Sequence, residues 1–200
     1  LVPGSVDARI LPLAAARTGS TRLINSSPRF VFEYDGDEQL RYVIDTSHPD
    51  VAAGLLRIEE ETTGSLPLSN AGLLYRDSGG VLRTPLWFAE NSGSTLSTQV
   101  EGDTLRLTYN GTIDGGTSHV FELRLVGKAL EVRAFDAQTE VSGTAAFAGF
   151  VFGPHRQVDQ PRDLRVPFMI STPVTHFQDR TGEGAFIALL PDAARSNCGR

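Results

Sequence analysis

The sequence predicts an all-β fold, arranged as a single large antiparallel β-sandwich, and three observations lead to it. Residues 102–135 hold three segments of alternating apolar and polar side chains. They are Leu105, Leu107 and Tyr109; Val120 or Phe121, with Leu123 and Leu125; and Leu130, Val132 and Ala134. Strict alternation marks strands with one face in a core and one in water. Turn formers separate the segments: Asn110-Gly111, Asp114-Gly115-Gly116 and Val126-Gly127-Lys128. Such breaks recur along the chain at roughly the 8–12-residue spacing of sandwich and barrel strands. The 20 glycines and 11 prolines suit that number of turns, and no heptad pattern or fixed-period repeat competes with it.

Taken in order, Leu1-Val2-Pro3-Gly4-Ser5 looks like a protease-cleavage linker, so residues 1–5 are set apart from the fold. The sandwich is expected over 6–192, with 193–200 as a C-terminal tail. Ala14-Ala15-Ala16 is the helix-like run of the opening, interrupted at Pro12. Ala8, Ile10 and Leu13 fit instead a short edge strand that residues 21–25 continue. Phe30, Phe32 and Tyr34 then alternate, and Asp35-Gly36-Asp37 turns the chain into 40–45, giving a hairpin with an aromatic face. Residues 46–50 are expected as a loop in which Pro49 holds His48 extended. Residues 56–62 fit a strand or one turn of helix. A loop through Gly64, Pro67, Ser69, Asn70 and Gly72 precedes a strand at 73–76, the turn Asp77-Ser78-Gly79-Gly80 and a return at 81–83. The tryptophan lies in 85–88, before the turn at 91–94, and 95–101 alternates as a further strand.

Beyond the central segments, 136–143 reads as loop or strand end. Residues 145–152 are apolar on both faces, as in an interior strand buried twice, and Gly149 suggests a neighbouring backbone close by. Residues 155–165 are polar; Val166, Phe168 and Ile170 alternate; 172–177 continues as an edge. Gly182-Glu183-Gly184 turns into 185–190, a second doubly apolar strand that Pro191 stops.

Composition narrows the function classes. Apolar residues make up 40%, including 11 Phe, 4 Tyr and one Trp, which is ample for a core, while 21% charged residues and a net charge of -6 suit a soluble, acidic protein. Nucleic acid and anionic membranes are disfavoured as partners, because phosphate neutralisation needs clustered cations and Lys128 stands alone among scattered arginines. No segment approaches the roughly 20 apolar residues of a spanning helix. A lone cysteine, Cys198, leaves no intramolecular disulfide and reads as a tail residue.

Several residues are candidates for chemistry. His155-Arg156 follows Gly153-Pro154 at the mouth of the buried 145–152 strand, where loops often carry function. An imidazole there suits acid–base work or a hydrogen bond to a sugar hydroxyl, while capping of strand carbonyls or pairing with Asp159 or Asp163 is the plainer account of the pair. His176 and Glu183 would join His155 if the last two strands form a hairpin. That would give two histidines and a carboxylate, a set suited to epimerisation or to a metal. The spacing matches no short ligand motif, so no metal and no cofactor is implied. Trp87, with Tyr75 and Phe88 near it, offers a flat ring to the axial C–H groups of a sugar, or else fills the core or a domain interface. Glu59-Glu60-Glu61 cannot supply a glycosidase pair from adjacent positions that point to opposite faces, and it reads as solvated surface. Asp35-Gly36-Asp37 resembles part of a calcium loop, but a hairpin turn suffices. No G-x-S-x-G, dinucleotide or phosphate loop occurs.

The order of the pieces resembles the galactose-mutarotase-like β-supersandwich domain of large glycoside hydrolases. Three stretches carry the likeness: the hairpin 30–44, the 104–135 region with LRLTYNG and FELRLVGKALEV, and the strand at 147–152. Aldose epimerases of that family catalyse with histidines and a carboxylate that no motif places here, and the chain is short for such an enzyme. The resemblance therefore implies a supersandwich-like, non-catalytic accessory domain on the N-terminal side of a carbohydrate-active enzyme, extracellular or periplasmic. Its expected partners are an adjacent catalytic domain and carbohydrate, with Trp87, Tyr75, His155 and Arg156 as ligand contacts. The end shortly after Leu190-Pro191 fits a boundary with a following domain. Two other readings compete: a small carbohydrate epimerase or lyase using His155, His176 and Glu183, and a cell-surface structural module.

Overall fold

A computed structural model describes residues 19–62, 68–77, 79–91, 93–111, 117–136, 146–151, 159–164, 174–178 and 184–188. Among them the strands are β1 (Ser20–Ser26), β2 (Arg29–Asp35), β3 (Gln39–Asp45), β4 (Leu56–Glu60), β5 (Leu68–Arg76), β6 (Leu82–Arg83), β7 (Thr95–Glu101), β8 (Thr104–Gly111), β9 (Thr117–Val126), β10 (Ala129–Asp136), β11 (Ala146–Val151), β12 (Asp159–Leu164), β13 (Val174–Gln178) and β14 (Gly184–Ala188). Two short helices interrupt them, α1 (Pro49–Ala52) and α2 (Pro85–Asn91). The fold is all-β, as the alternation predicts, and every described strand pairing is antiparallel.

A first sheet runs β1-β2-β3-β4-β5-β11, with β6 also on β5; a second runs β10-β9-β8-β7. Their inner faces meet in one core. Phe30, Phe32, Tyr34, Ile44, Leu56, Ile58, Leu73 and Tyr75 come from the first sheet; Leu105, Leu107, Tyr109, Phe121, Leu123 and Leu125 come from the second. The register explains the face. Phe30 lies opposite Ile44 and Phe32 opposite Tyr42, so aromatic and branched side chains pair across β2 and β3. Burial of these side chains, each worth about 1.5–3 kcal/mol, is what holds the two sheets together. A third sheet, β12-β13-β14, is described by itself.

Tight hairpins build the second sheet. Val126 pairs with Ala129 and Glu101 with Thr104, leaving Gly127-Lys128 and Gly102-Asp103 as two-residue loops. Gly127 has φ +59 at the first loop position, a conformation glycine adopts without steric cost.

Several sequence expectations are corrected. Pro49–Ala52 is a helical turn rather than loop: His48 is extended (φ -63, ψ 132), as Pro49 demands, and its Nδ1 accepts from the Asp50 N–H at 3.2 Å as an N-cap. Residues 85–91 form α2, where the Thr84 hydroxyl accepts from the Trp87 N–H at 3.3 Å and Pro85 takes the first position. Ser69, Asn70 and Gly72 lie inside β5 rather than in a loop. The pairings Leu56 with Ala71 and Ile58 with Leu68 leave one extra residue on β5, and buried Asn70 adopts φ 55 at this bulge. Gly72 has a packing role: a Cβ there would come within 2.8 Å of the Pro85 Cβ, so its absence seats α2 on β5. Asn110 and Gly111 extend β8 instead of ending it.

The doubly apolar pattern of 145–152 predicts an interior strand, yet among described strands β11 pairs with β5 alone, and its register slips between Phe147 and Gly149. Gly149 thus borders a bulge. The polar residues 159–164 form β12, and β13 is the middle strand of its sheet rather than an edge. Residues 1–18, 137–145, 165–173 and 189–200 lie outside the described residues, and with them the expected linker, the 8–13 part of the opening strand (its continuation at 21–25 is β1), the Val166–Ile170 alternation and the tail.

Candidate functional site

The outer face of the first sheet carries its polar side chains, and a strand period of two decides which ones. On β4, Leu56, Ile58 and Glu60 turn inward, so Arg57 and Glu59 turn outward. Val43 lies opposite Glu59, and Arg29 opposite Asp45. Together with His48 they enclose a small pocket of about 80 Å³ lined by Arg29, Val43, Asp45, His48, Arg57 and Glu59.

Local hydrogen bonds fix each wall of this pocket. One oxygen of Asp45 accepts from the Ser47 N–H at 2.9 Å and the Ser47 hydroxyl at 2.5 Å. The Ser47 hydroxyl, against an opposing cost of burial, holds the Asp45 carboxyl below its ordinary range, helped by the Ser47 N–H, His48 and Arg29. The Thr46 N–H and hydroxyl both donate to the Pro28 carbonyl at 2.9 Å, tying the turn to the start of β2. Because His48 Nδ1 accepts the Asp50 N–H, a neutral imidazole carries its proton on Nε2 and offers a donor. Arg57 donates to Glu59 Oε1 through Nε at 3.1 Å and Nη2 at 2.7 Å. Two guanidinium groups and two carboxylates therefore line the pocket with balanced charge over the buried aliphatic floor of Val43.

An ion ladder continues across the same face: Arg22 pairs with Glu33, Glu33 with Arg41 at 3.6 Å, Arg41 with Glu61 at 2.8 Å, and Glu61 with Arg29. The outer face of the second sheet has a matching arrangement. Arg106 and Arg133 flank Glu122 at 3.2 and 3.5 Å, Arg124 meets Glu131 at 2.5 Å, and a shallow groove of about 320 Å³ runs among them.

Inside the sandwich sits a different polar group. His119 is 1% exposed, with its ring stacked on Tyr109 at 4.7 Å and tilted by 56° against Tyr75 at 6.3 Å. Burial lowers its pKa to about 4, against a backbone hydrogen bond to Gly54 that favours the charged form. Burial likewise pushes the Tyr109 phenol up. With all three rings enclosed, this trio packs the core.

The residues that the sequence singles out fare differently, beginning with Tyr75, which is corrected: it is 0% exposed, because β5 turns Ala71, Leu73 and Tyr75 inward, so its ring offers no surface to a ligand. Trp87 is half-buried on α2 against the core, and the Arg83 guanidinium lies 4.7 Å from its ring centroid. Asp77 holds that guanidinium at 2.6 Å. The Phe88 side chain, His155, Arg156 and Glu183 lie outside the described residues. The expected last hairpin is present in β13 and β14, and the register sets His176 opposite Phe186 and Arg162. Glu59, Glu60 and Glu61 alternate faces as expected, but Glu60 is buried at 7% rather than solvated, and it accepts from the Thr62 N–H at 3.0 Å. Asp35-Gly36-Asp37 is a hairpin turn, and no group of three His, Cys, Asp or Glu side chains is placed to hold a metal among the described residues. No described helix is long and apolar enough to cross a membrane.

Sequence reasoning missed the Arg29, Asp45, His48, Arg57 and Glu59 pocket. The signals for it are Arg57-x-Glu59 on one strand face and the Asp45-x-x-His48-Pro49 turn, but their convergence depends on the β2–β3–β4 register. No protein-family model matches the chain, and no curated protein or solved structure matches it either.

Proposed function

We propose that this chain is a non-catalytic β-sandwich module of a carbohydrate-active enzyme, one that supports a neighbouring catalytic domain and touches glycan. One observation carries the reading: the outer faces of both sheets present guanidinium and carboxylate groups already matched to one another. Such a surface offers many hydrogen-bond donors and acceptors without a field that selects a charged macromolecule. Polyhydroxylated, uncharged ligands fit it, because each hydroxyl both donates and accepts. The filled core supports the same reading, since its one described histidine, His119, is enclosed and serves packing. A glycan array spanning plant and bacterial oligosaccharides tests the proposal: binding to neutral glycans is expected, and a flat array removes glycan contact from it.

A second reading, a cell-surface structural module, draws on Val81, Leu82 and Leu86, which stand 50%, 47% and 38% exposed around β6 and α2. Apolar side chains gathered this way suit a protein contact. Under that reading Leu82→Glu abolishes a partner contact and leaves every glycan response unchanged.

A further inference from the structure

We propose that the pocket formed by Arg29, Asp45, His48, Arg57 and Glu59 is the glycan contact itself, and that it takes one edge of a neutral sugar residue. The inference rests on the reading of the chain as a glycan-touching module and adds the site and the ligand class. Charge balance selects the class. A uronate or phosphate would meet Asp45 and Glu59, and an amino sugar would meet Arg29 and Arg57; a vicinal diol meets a donor and an acceptor at once.

The walls are held before any ligand arrives. Asp45 is fixed by Ser47, His48 by the Asp50 N–H, and Arg57 by Glu59, so binding freezes few further rotamers. Val43 supplies an apolar floor for C–H groups. At about 80 Å³ the pocket is well below the roughly 300–1,000 Å³ of sites that swallow a whole small molecule, so an edge enters rather than a ring. His48 Nε2–H and the guanidinium groups of Arg29 and Arg57 act as donors, and the outer oxygens of Asp45 and Glu59 act as acceptors.

Saturation-transfer NMR and calorimetry on the full chain provide the test, with methyl glycosides of neutral hexoses and pentoses, a galacturonate oligomer and glucosamine as probes. Two variants keep the local fold: His48→Asn retains an N-capping acceptor, and Glu59→Gln retains shape. Each should weaken neutral-sugar binding about tenfold, the loss of one hydrogen bond to a charged or buried partner, with an unchanged melting temperature. Glu59→Gln should also shift preference toward galacturonate, because the pocket lining then sets one carboxylate against two guanidinium groups, with Asp50 still 3.8 Å from Arg57. Wild-type binding that both variants leave intact overturns this pocket while the glycan reading stands. Tighter binding of galacturonate or glucosamine than of neutral sugars by the wild type overturns the ligand class. Absence of any binding by the wild type overturns both the pocket and the glycan reading.

Discussion

Lys128 Nζ lies 2.8 Å from Asp37 Oδ2, joining the β9–β10 turn of one sheet to the β2–β3 turn of the other. The Tyr42 hydroxyl donates to the Lys128 carbonyl at 3.0 Å, and the Tyr34 hydroxyl donates to Asp37 at 3.1 Å. Lys128 is the chain's single lysine, and it stands where the sandwich closes at one end. Lys128, followed by burial in opposition and then Tyr34, holds the Asp37 carboxyl below its ordinary value. A depressed carboxyl stabilises the folded state above its unfolded pKa, and that contribution is lost as pH falls through the folded pKa. In acid melts the gap between wild type and Asp37→Asn should therefore be present near neutrality and close below the ordinary carboxylate value of 3.8. A gap that persists or widens in acid contradicts this latch.

Tyr42→Phe removes the neutral hydrogen bond in the same latch and nothing else that the ring packs against. A loss of about 1 kcal/mol is expected from chemical denaturation, with an unchanged denaturant slope.

His119 sets a second acid response. Its folded-state pKa of about 4 lies below the unfolded 6.5, so the unfolded chain binds the proton first as pH drops. Stability should be full above 6.5 and decline as pH falls from there to about 4, by on the order of 3 kcal/mol. His119→Leu should flatten that part of the profile in urea titrations at several pH values. An equally steep decline in the variant assigns the slope to other groups.

Phe32 and Leu107 face each other's sheets with 0% exposure. Truncation to Ala at either site should cost about 3–5 kcal/mol through lost burial and the cavity left behind. That is a large part of the roughly 5–15 kcal/mol that holds a typical domain. Gly127→Ala, in contrast, meets no neighbouring atom and suffers only from φ +59, so about 1 kcal/mol is expected in the same measurement.

Trp87 is the only tryptophan, so intrinsic fluorescence reads its surroundings alone. Removing the guanidinium that lies over it, in Arg83→Ala, should raise its accessibility to acrylamide and shift its emission to the red. Asp77→Asn should move both readouts the same way but less far, because it loosens Arg83 without deleting it.

The alternation at 105–109, 121–125 and 30–34 is enough to place β8, β9 and β2 and their buried faces, because a half-buried strand must repeat every two residues. The tight turn at Gly127 is legible as well, since few residues accept positive φ. The helices are less visible. Pro85–Asn91 is too short for an apolar period to develop, and its signal, Thr84-Pro85, is a cap rather than a pattern. Asn70 and Gly72 read as loop formers because a bulge and a close packing contact use the same residues as a turn.

Local chemistry written in the chain thus determined the strand class, the inward faces and the hairpin turns, all of which depend on neighbours a few residues apart. Pairing across distant segments decided the rest. It sent Tyr75 into the core, carried Lys128 to Asp37, and gathered Arg29, Asp45, His48, Arg57 and Glu59 around one pocket. Register between strands is set by how whole faces bury together, and no single segment contains that information.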